Sequence, residues 1–376
     1  MFGSFFKKKN DFSQLTLVLD IRSSSVGAAV IRVVGGGKPV EILSSTREFF
    51  FFDNVVNADS FITRAEISLK AVLESLVHKQ KYGSQIGAVE VFYGAPWYKN
   101  LIENFLKTEK SAVDFNQNYL NKILKESVKK IGDDEEIIDR ELLAMFLNGY
   151  YTKNPFGKKA RTVDLSFYFA ILNKHTKNNF VATIRKFTNI KKISHHSHTI
   201  AFYNLLKNVI HPPKSYVMFD ISGEVTEISV IKNEHLIKII SVPHGNNYFV
   251  RQLMQKTGHD FATCFNEIKA KNNLIDDVSK TDWAKCIAEC LGEAQLHSLP
   301  STVYVSTAEE TRDLVKNILS NIEVYYSTLK MHTKPELILI SNSLFRKRIH
   351  VEQMGQRDDA HMMANILYVE LMSKKS

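Results

Sequence analysis

The chain repeats one of its own units. From Leu15 to Val34, LTLVLDIRSSSVGAAVIRVV runs as an apolar stretch, an aspartate, a turn of small residues and a second apolar stretch; from Tyr216 to Lys232, YVMFDISGEVTEISVIK does the same. Apolar runs of this length separated by small-residue turns predict β-hairpins. Each hairpin continues into a further strand, the first through Gly35, Gly36, Gly37, Lys38 and Pro39 into Val40 to about Phe52, the second through a turn at Asn233. The glycine run reads as a plain turn, because a lone Gly-rich loop is a weak phosphate signal. Two copies of one meander, each with an aspartate directly before its turn, predict two similar α/β domains facing each other across a cleft.

Between the copies, Phe61 to Gln80 carries helical spacing and Ile86 to Tyr93 reads as a strand. Ile86 to Leu172 is a mixture of short strands with a helix at Tyr119 to Ile131, and the acidic run Asp133 to Glu136 is expected to open a helix, where it would complement the dipole. Phe180 to Ile193 and His198 to Val209 are expected helices, the second stopped by His211, Pro212 and Pro213. After the second hairpin come helices between about Asn246 and Leu299, strands at Thr302 to Ser306 and Glu336 to Ser341, and a last helix from about Asp358 to Leu371.

A length of 376 residues fits two or three domains at roughly 100–200 residues each. No stretch approaches the roughly 18 uninterrupted apolar residues of a membrane span, and the start MFGSFFKKKNDF lacks the charge-then-apolar order of an export signal. Three cysteines, Cys264, Cys286 and Cys290, make no disulfide framework. A soluble cytoplasmic protein is expected. The net charge of +9 favours anionic partners, but no nucleic-acid motif accompanies it, so no nucleic-acid partner is expected. Phe2, Phe5 and Phe6 beside Lys7, Lys8 and Lys9 form a short tail suited to peripheral contact with a membrane or partner.

Ser- and Gly-rich hairpin turns present backbone N–H groups in the geometry that holds phosphate. An aspartate at the end of the first strand of each hairpin can hold the water shell of Mg²⁺, which takes only one or two carboxylates. Asp20 and Asp220 are therefore the expected metal pair, and Ser23, Ser24 and Ser25 with Ser222, Gly223 and Thr226 the expected phosphate cradle. His195, His196 and His198 read as a solvated helix start, and Cys286 with Cys290 as small core residues of a helix.

The two turns, DIRSSSVG and DISGEVTE, resemble the phosphate hairpins of the actin, Hsp70 and hexokinase superfamily. NGYYTKNPFGKKARTVDLSFYFAIL, SVPHGNNYFVRQL and RDDAHMMANILYVELM resemble the end of the inserted subdomain, a helix-opening turn and the closing helix of FtsA and PilM proteins. The resemblance implies an α/β fold of two duplicated actin-like (ribonuclease H-like) domains flanking a nucleotide cleft, with an FtsA/PilM-type α+β subdomain inserted in the first. The corresponding boundaries are a tail at 1–14, a first domain at 15–85 and 176–214, the insertion at 86–175, a second domain at 215–354 and a C-terminal helix at 355–376 closing on the first domain. It further implies ATP and Mg as ligands, with Ser306, Thr307 and Ala308 on the adenosine side.

The departures are specific. Arg22 stands where the family has a glycine, and it either obstructs the phosphate or supplies it a guanidinium. Gly27 replaces a lysine, Ser222 and Glu224 replace glycines, and the adenosine turn has no glycine. No catalytic residue emerges. The expectation is a PilM-like scaffold with at most weak ATPase activity, peripheral at the inner face of the cell membrane. It would couple to the short cytoplasmic tail of a bitopic inner-membrane protein, with self-association as a further expected contact, in type IV pilus or related envelope-machine assembly. An FtsA-like division protein, which usually carries a C-terminal amphipathic helix where this sequence reads MSKKS, or an active ATPase or sugar kinase of the superfamily, are the alternatives.

Overall fold

The computed structural model describes residues 15–35, 38–52, 58–79, 82–127, 131–190, 193–270, 274–294, 299–320, 335–345, 347–351 and 359–375. The tail bearing Phe2, Phe5, Phe6 and Lys7 to Lys9 lies outside them. The chain opens with the meander β1 (Leu15–Ile21), β2 (Ser25–Arg32) and β3 (Val40–Phe49). Helix α1 (Ala58–Leu73) runs on into a π turn, and β4 (Ile86–Tyr93) follows. Next come β5 (Tyr98–Asp114), α2 (Gln117–Ser127), β6 (Glu135–Leu147), β7 (Tyr150–Tyr151) and β8 (Lys159–Asn173). The chain then gives α3 (Lys174–Phe187), β9 (Ile193–Ser197) and α4 (His198–Leu205).

The second half holds β10 (Tyr216–Ile221), β11 (Thr226–Lys232), β12 (His235–Val242), α5 (Asn246–Thr257), α6 (Phe261–Ala270) and α7 (Asp277–Glu293). It ends in β13 (Thr302–Thr307), α8 (Arg312–Ser320), β14 (Glu336–Leu339), β15 (Ile349–Val351) and α9 (Ala360–Lys375).

The repeat seen in the sequence is a repeat of topology. The first sheet has the order β15-β3-β2-β1-β4-β9 and the second β12-β11-β10-β13-β14. In both, an antiparallel meander is extended by two parallel strands on the side of its first strand. The hairpin registers match, with Asp20 opposite Gly27 and Asp220 opposite Glu227. β1, β2, β10 and β11 are buried along nearly their whole length, because both faces of each sheet are covered. A third sheet, β5-β8-β6-β7, is built from the segment between β4 and α3 and carries its own core around Phe115, Leu120 and Val163.

Four sequence expectations are corrected. Asp133 to Glu136 leads into strand β6 instead of a helix, since the residues from Glu135 to Leu147 pair antiparallel with β8. The helix expected at Phe180 to Ile193 starts earlier, where the Asn173 side chain accepts from His175 N and Thr176 N, and ends at Phe187. Ile193 to Ser197 is a strand paired with β4, so His195 and His196 lie on a strand and only His198 opens a helix. The C-terminal stretch also rejoins the first sheet sooner than expected: β15 pairs with β3, ahead of the boundary placed at 354.

α9 packs on α4 and touches β1, β2 and β13. Residues 360–370 are all buried, as an apolar helix covered from several sides must be. The main core runs from the first sheet through these two helices to Tyr216, Met218 and Tyr304 of the second. The two hairpin turns therefore meet above a shared floor.

Candidate functional site

The strand ends deliver Asp20 and Asp220 to one point, where Arg22 lies between them. Its Nε donates to Asp20 Oδ2 at 3.0 Å, and its Nη1 donates to Asp220 Oδ1 at 2.9 Å and Oδ2 at 3.0 Å. The arginine is only 1% exposed. Its backbone is fixed as well: its N–H donates to Ser25 O, and its carbonyl accepts from Trp97 Nε1. Nη2 has no acceptor among the described residues.

A second arginine completes the cluster. Arg47, opposite Gly27 on β3, folds over that glycine: a Cβ there would lie 2.7 Å from Arg47 Nη2. Arg47 donates through Nη2 to Asp20, through Nη1 to Ser25 Oγ, and through Nε to Asp359 at 2.6 Å. Asn365 donates to Asp20 Oδ1 at 3.0 Å, and His361 Nε2 lies 3.0 Å from Asp220 Oδ1. Burial, the largest single influence, would raise the carboxyls of Asp20 and Asp220, but Arg22 together with His198 and His361, and Arg47 beside Asp20, outweighs it and holds both well below the usual range. Burial and the nearby Arg22 push His198 down to about 4 and lower His361, so both are neutral at pH 7.

The turns touch. Ser23 Oγ donates to Ser222 Oγ at 2.9 Å and accepts from Glu224 N at 2.9 Å. A Cβ on Gly223 would sit 1.9 Å from Ser24 Oγ, so only glycine permits this approach. The second turn's remaining groups are committed within their own half. Ser222 and Gly223 carbonyls accept from Asn246 N and Asn247 N at the start of α5, Thr226 Oγ1 donates to His244 O, and Arg251 forks onto Glu224 at 2.7 and 3.1 Å. Thr307 bonds Asn246, Ala308 precedes a short 3-10 turn, and Ser306 Oγ has no partner among the described residues.

Farther out, Phe51 at the end of β3 stacks on Phe261 of α6 with centroids 4.4 Å apart, and Phe49 and Phe51 both reach Phe265. Between this aromatic clasp and the turns remains a cavity of about 30 Å³, lined by Ser24, Arg47, Ser222, Asn247, Thr307 and His361. That volume holds about two waters. A metal-bound triphosphate needs the turns apart and the aspartates open to a hydrated cation. Here the turns are in contact and both carboxylates are paired, so in this arrangement the residues do not fit Mg-ATP.

The structure thus brings Asp20, Arg22, Ser23, Ser24, Ser25, Ser222, Gly223 and Thr226 to one place, with Thr307 and Ala308 at its edge. Of His195, His196 and His198, the first bonds Tyr93 and the second Glu90, away from the cluster, while His198 bonds Asn365 and stands beside Asp220. Sequence reasoning missed Arg47, Asp359, His361 and Asn365. The usable signal was Gly27, a bare position in the row Asp20, Gly27, Arg47.

The chain superposes on a solved structure described as a PilM-PilN type IV pilus biogenesis complex with a TM-score of 0.62, covering 95% of this chain and 98% of the other at 11% identity. The fold is actin-like. Lower-scoring actin-like neighbours include a Bacteroides thetaiotaomicron protein with an actin-like ATPase fold and unknown function, at TM-score 0.41, 10% identity and coverages of 96% and 99%. Ethanolamine utilization protein EutJ from Carboxydothermus hydrogenoformans aligns at TM-score 0.46, 12% identity and coverages of 95% and 89%. No family model and no curated protein sequence matches this actin-like chain. None of its described helices is long and apolar enough to cross a membrane.

Proposed function

We propose that the protein is a non-catalytic adaptor of the PilM kind, working at the cytoplasmic face of the inner membrane in type IV pilus or related envelope-machine assembly. Its partner in this reading is the short cytoplasmic tail of a bitopic membrane protein. The observation that carries it is the Arg22 bridge: with Asp20 and Asp220 both engaged by one buried guanidinium, the cleft offers no open pair for metal-dependent phosphoryl chemistry. The likeness in fold to PilM in its PilM-PilN complex supports the partner class. The basic, aromatic tail from Phe2 to Lys9 would add weak contact with anionic lipid.

The test uses the full chain and synthetic peptides matching the cytoplasmic tails of single-span proteins encoded beside it. Titration calorimetry should give saturable micromolar binding to one such tail, unchanged by Mg-ATP, and phosphate release from ATP at the background rate. Turnover above background, or no binding to any of those tails, rejects the adaptor reading.

A further inference from the structure

We propose that the guanidinium of Arg22 has replaced a ligand-borne divalent cation as the shared counter-charge of Asp20 and Asp220, so that the two halves are tied by the chain's own side chain. The inference is independent of which partner the adaptor binds.

Two carboxylates at the facing ends of β1 and β10 repel one another when buried and require a cation between them. A hydrated Mg²⁺ meets that need with one or two carboxylates and several waters. Arg22 meets it dry: three of its hydrogen bonds fan out to the two acids from a side chain 1% exposed. Its planar fork and permanent charge suit this better than lysine would.

The surroundings are adapted to the replacement. Trp97 and Ser25 fix the Arg22 backbone, so the guanidinium is held in place without a ligand. Gly27 leaves the space that Arg47 fills, and Arg47 supplies a second positive charge to Asp20 and links it to Asp359 at the start of α9. His198 and His361 stand beside Asp220 as neutral rings, so the positive charge of the cluster resides on the two arginines. Glu224, the acid in the second turn, is neutralised from its own side by Arg251 and accepts from Asn247 Nδ2 at 2.7 Å, so its charge is met within its own half. Around this centre the Ser23–Ser222 hydroxyl pair and the Phe51–Phe261 stack join the same two halves at other depths. Each of these links is made by the chain's own groups, and none requires a diffusible group.

The full-length chain is titrated by calorimetry with Mg-ATP and, separately, inorganic phosphate at millimolar concentration, and melted with and without MgCl2 or MnCl2. Wild type should show no saturable heat and no cation-dependent change in Tm. Arg22→Gly should melt about 5–10 °C lower and recover part of that loss with Mg²⁺ or Mn²⁺, because Asp220 is left without a counter-ion and Asp20 keeps only Arg47. If Arg22→Gly is not recovered folded, Arg22→Gln is read in the same way, and if neither folds the wild-type titrations decide. Saturable binding of nucleotide or phosphate by wild type, or a folded variant whose Tm ignores both cations, overturns the proposal.

Discussion

The two hairpins share a register and differ in where their side chains go. In the first, Arg22 and Ser23 cross the gap to Asp220, Ser222 and Glu224 N. In the second, Glu224 and Thr226 turn back to Arg251 and His244, and the turn carbonyls serve the start of α5. The rows beneath them differ in charge: Asp20 is followed across the sheet by Gly27 and the cationic Arg47, Asp220 by the acidic Glu227 and by Ser241. One duplicated backbone has thus become a donor half and an acceptor half, with the acceptor turn kept bare at Gly223 so that the donor turn can reach it.

The sharpest way to break that relation after removal of Arg22 is Gly223→Ala. Its methyl would fall 1.9 Å from Ser24 Oγ and 2.2 Å from Ser24 Cβ, forcing the turns apart at a cost of about 3 kcal/mol. Denaturant melts should show Ser24→Gly restoring a substantial share in the double variant, whereas strictly additive losses would mean that the turns do not touch.

A somewhat smaller effect belongs to Glu227, the acceptor half's own buried acid. It accepts from Thr199 of α4 and from Asn100 of β5 at 2.7 Å, while Tyr98 and Tyr168 support those two partners. Burial, and next in order among the raising influences the charge of Asp220, push its carboxyl up to about 7. A raised value means the folded chain holds a proton that the unfolded chain has released, so this contribution to stability is complete below the ordinary 4.5 and disappears as pH rises to about 7. Against wild type, Glu227→Gln should gain on the order of 2–3 kcal/mol between those limits, read as diverging melting curves from pH 4.5 to 8. Parallel curves would show that Glu227 titrates normally.

The smallest effect is expected on the outer side of the acceptor turn. Glu224→Ala loses a part-buried fork to Arg251 and a bond from Asn247 Nδ2, and should cost about 1–2 kcal/mol, with the Arg22 and Ser23 contacts unchanged by hydrogen exchange. A loss as large as that of Gly223→Ala would mean that Glu224 helps hold the halves together.

Much of this was legible beforehand because it is local. The meanders, the aspartates ahead of their turns and the anomalous Arg22 are read from adjacent residues, as apolar runs broken by small-residue turns. What escaped depends on distance. Arg47 reaches Asp20 only because β3 pairs with β2 through a register shift near Ile31, which sequence spacing does not reveal. Asp359, His361 and Asn365 come from the far end of the chain. The strand at Ile193 to Ser197 was hidden because three histidines in six positions carry little periodicity, and only its parallel pairing with β4 makes it a strand.

The placement of α9 also sets an order of events on the ribosome. While the first half is being synthesised, its sheet lacks β15 and the helix whose residues 360–370 fill the space between the sheets, so an apolar floor waits uncovered. Asp20 and Arg47 likewise wait for Asn365 and Asp359 until that late segment emerges. A nascent chain stalled before Ile349 would expose both, and its need for chaperone shelter should last almost to the end of translation.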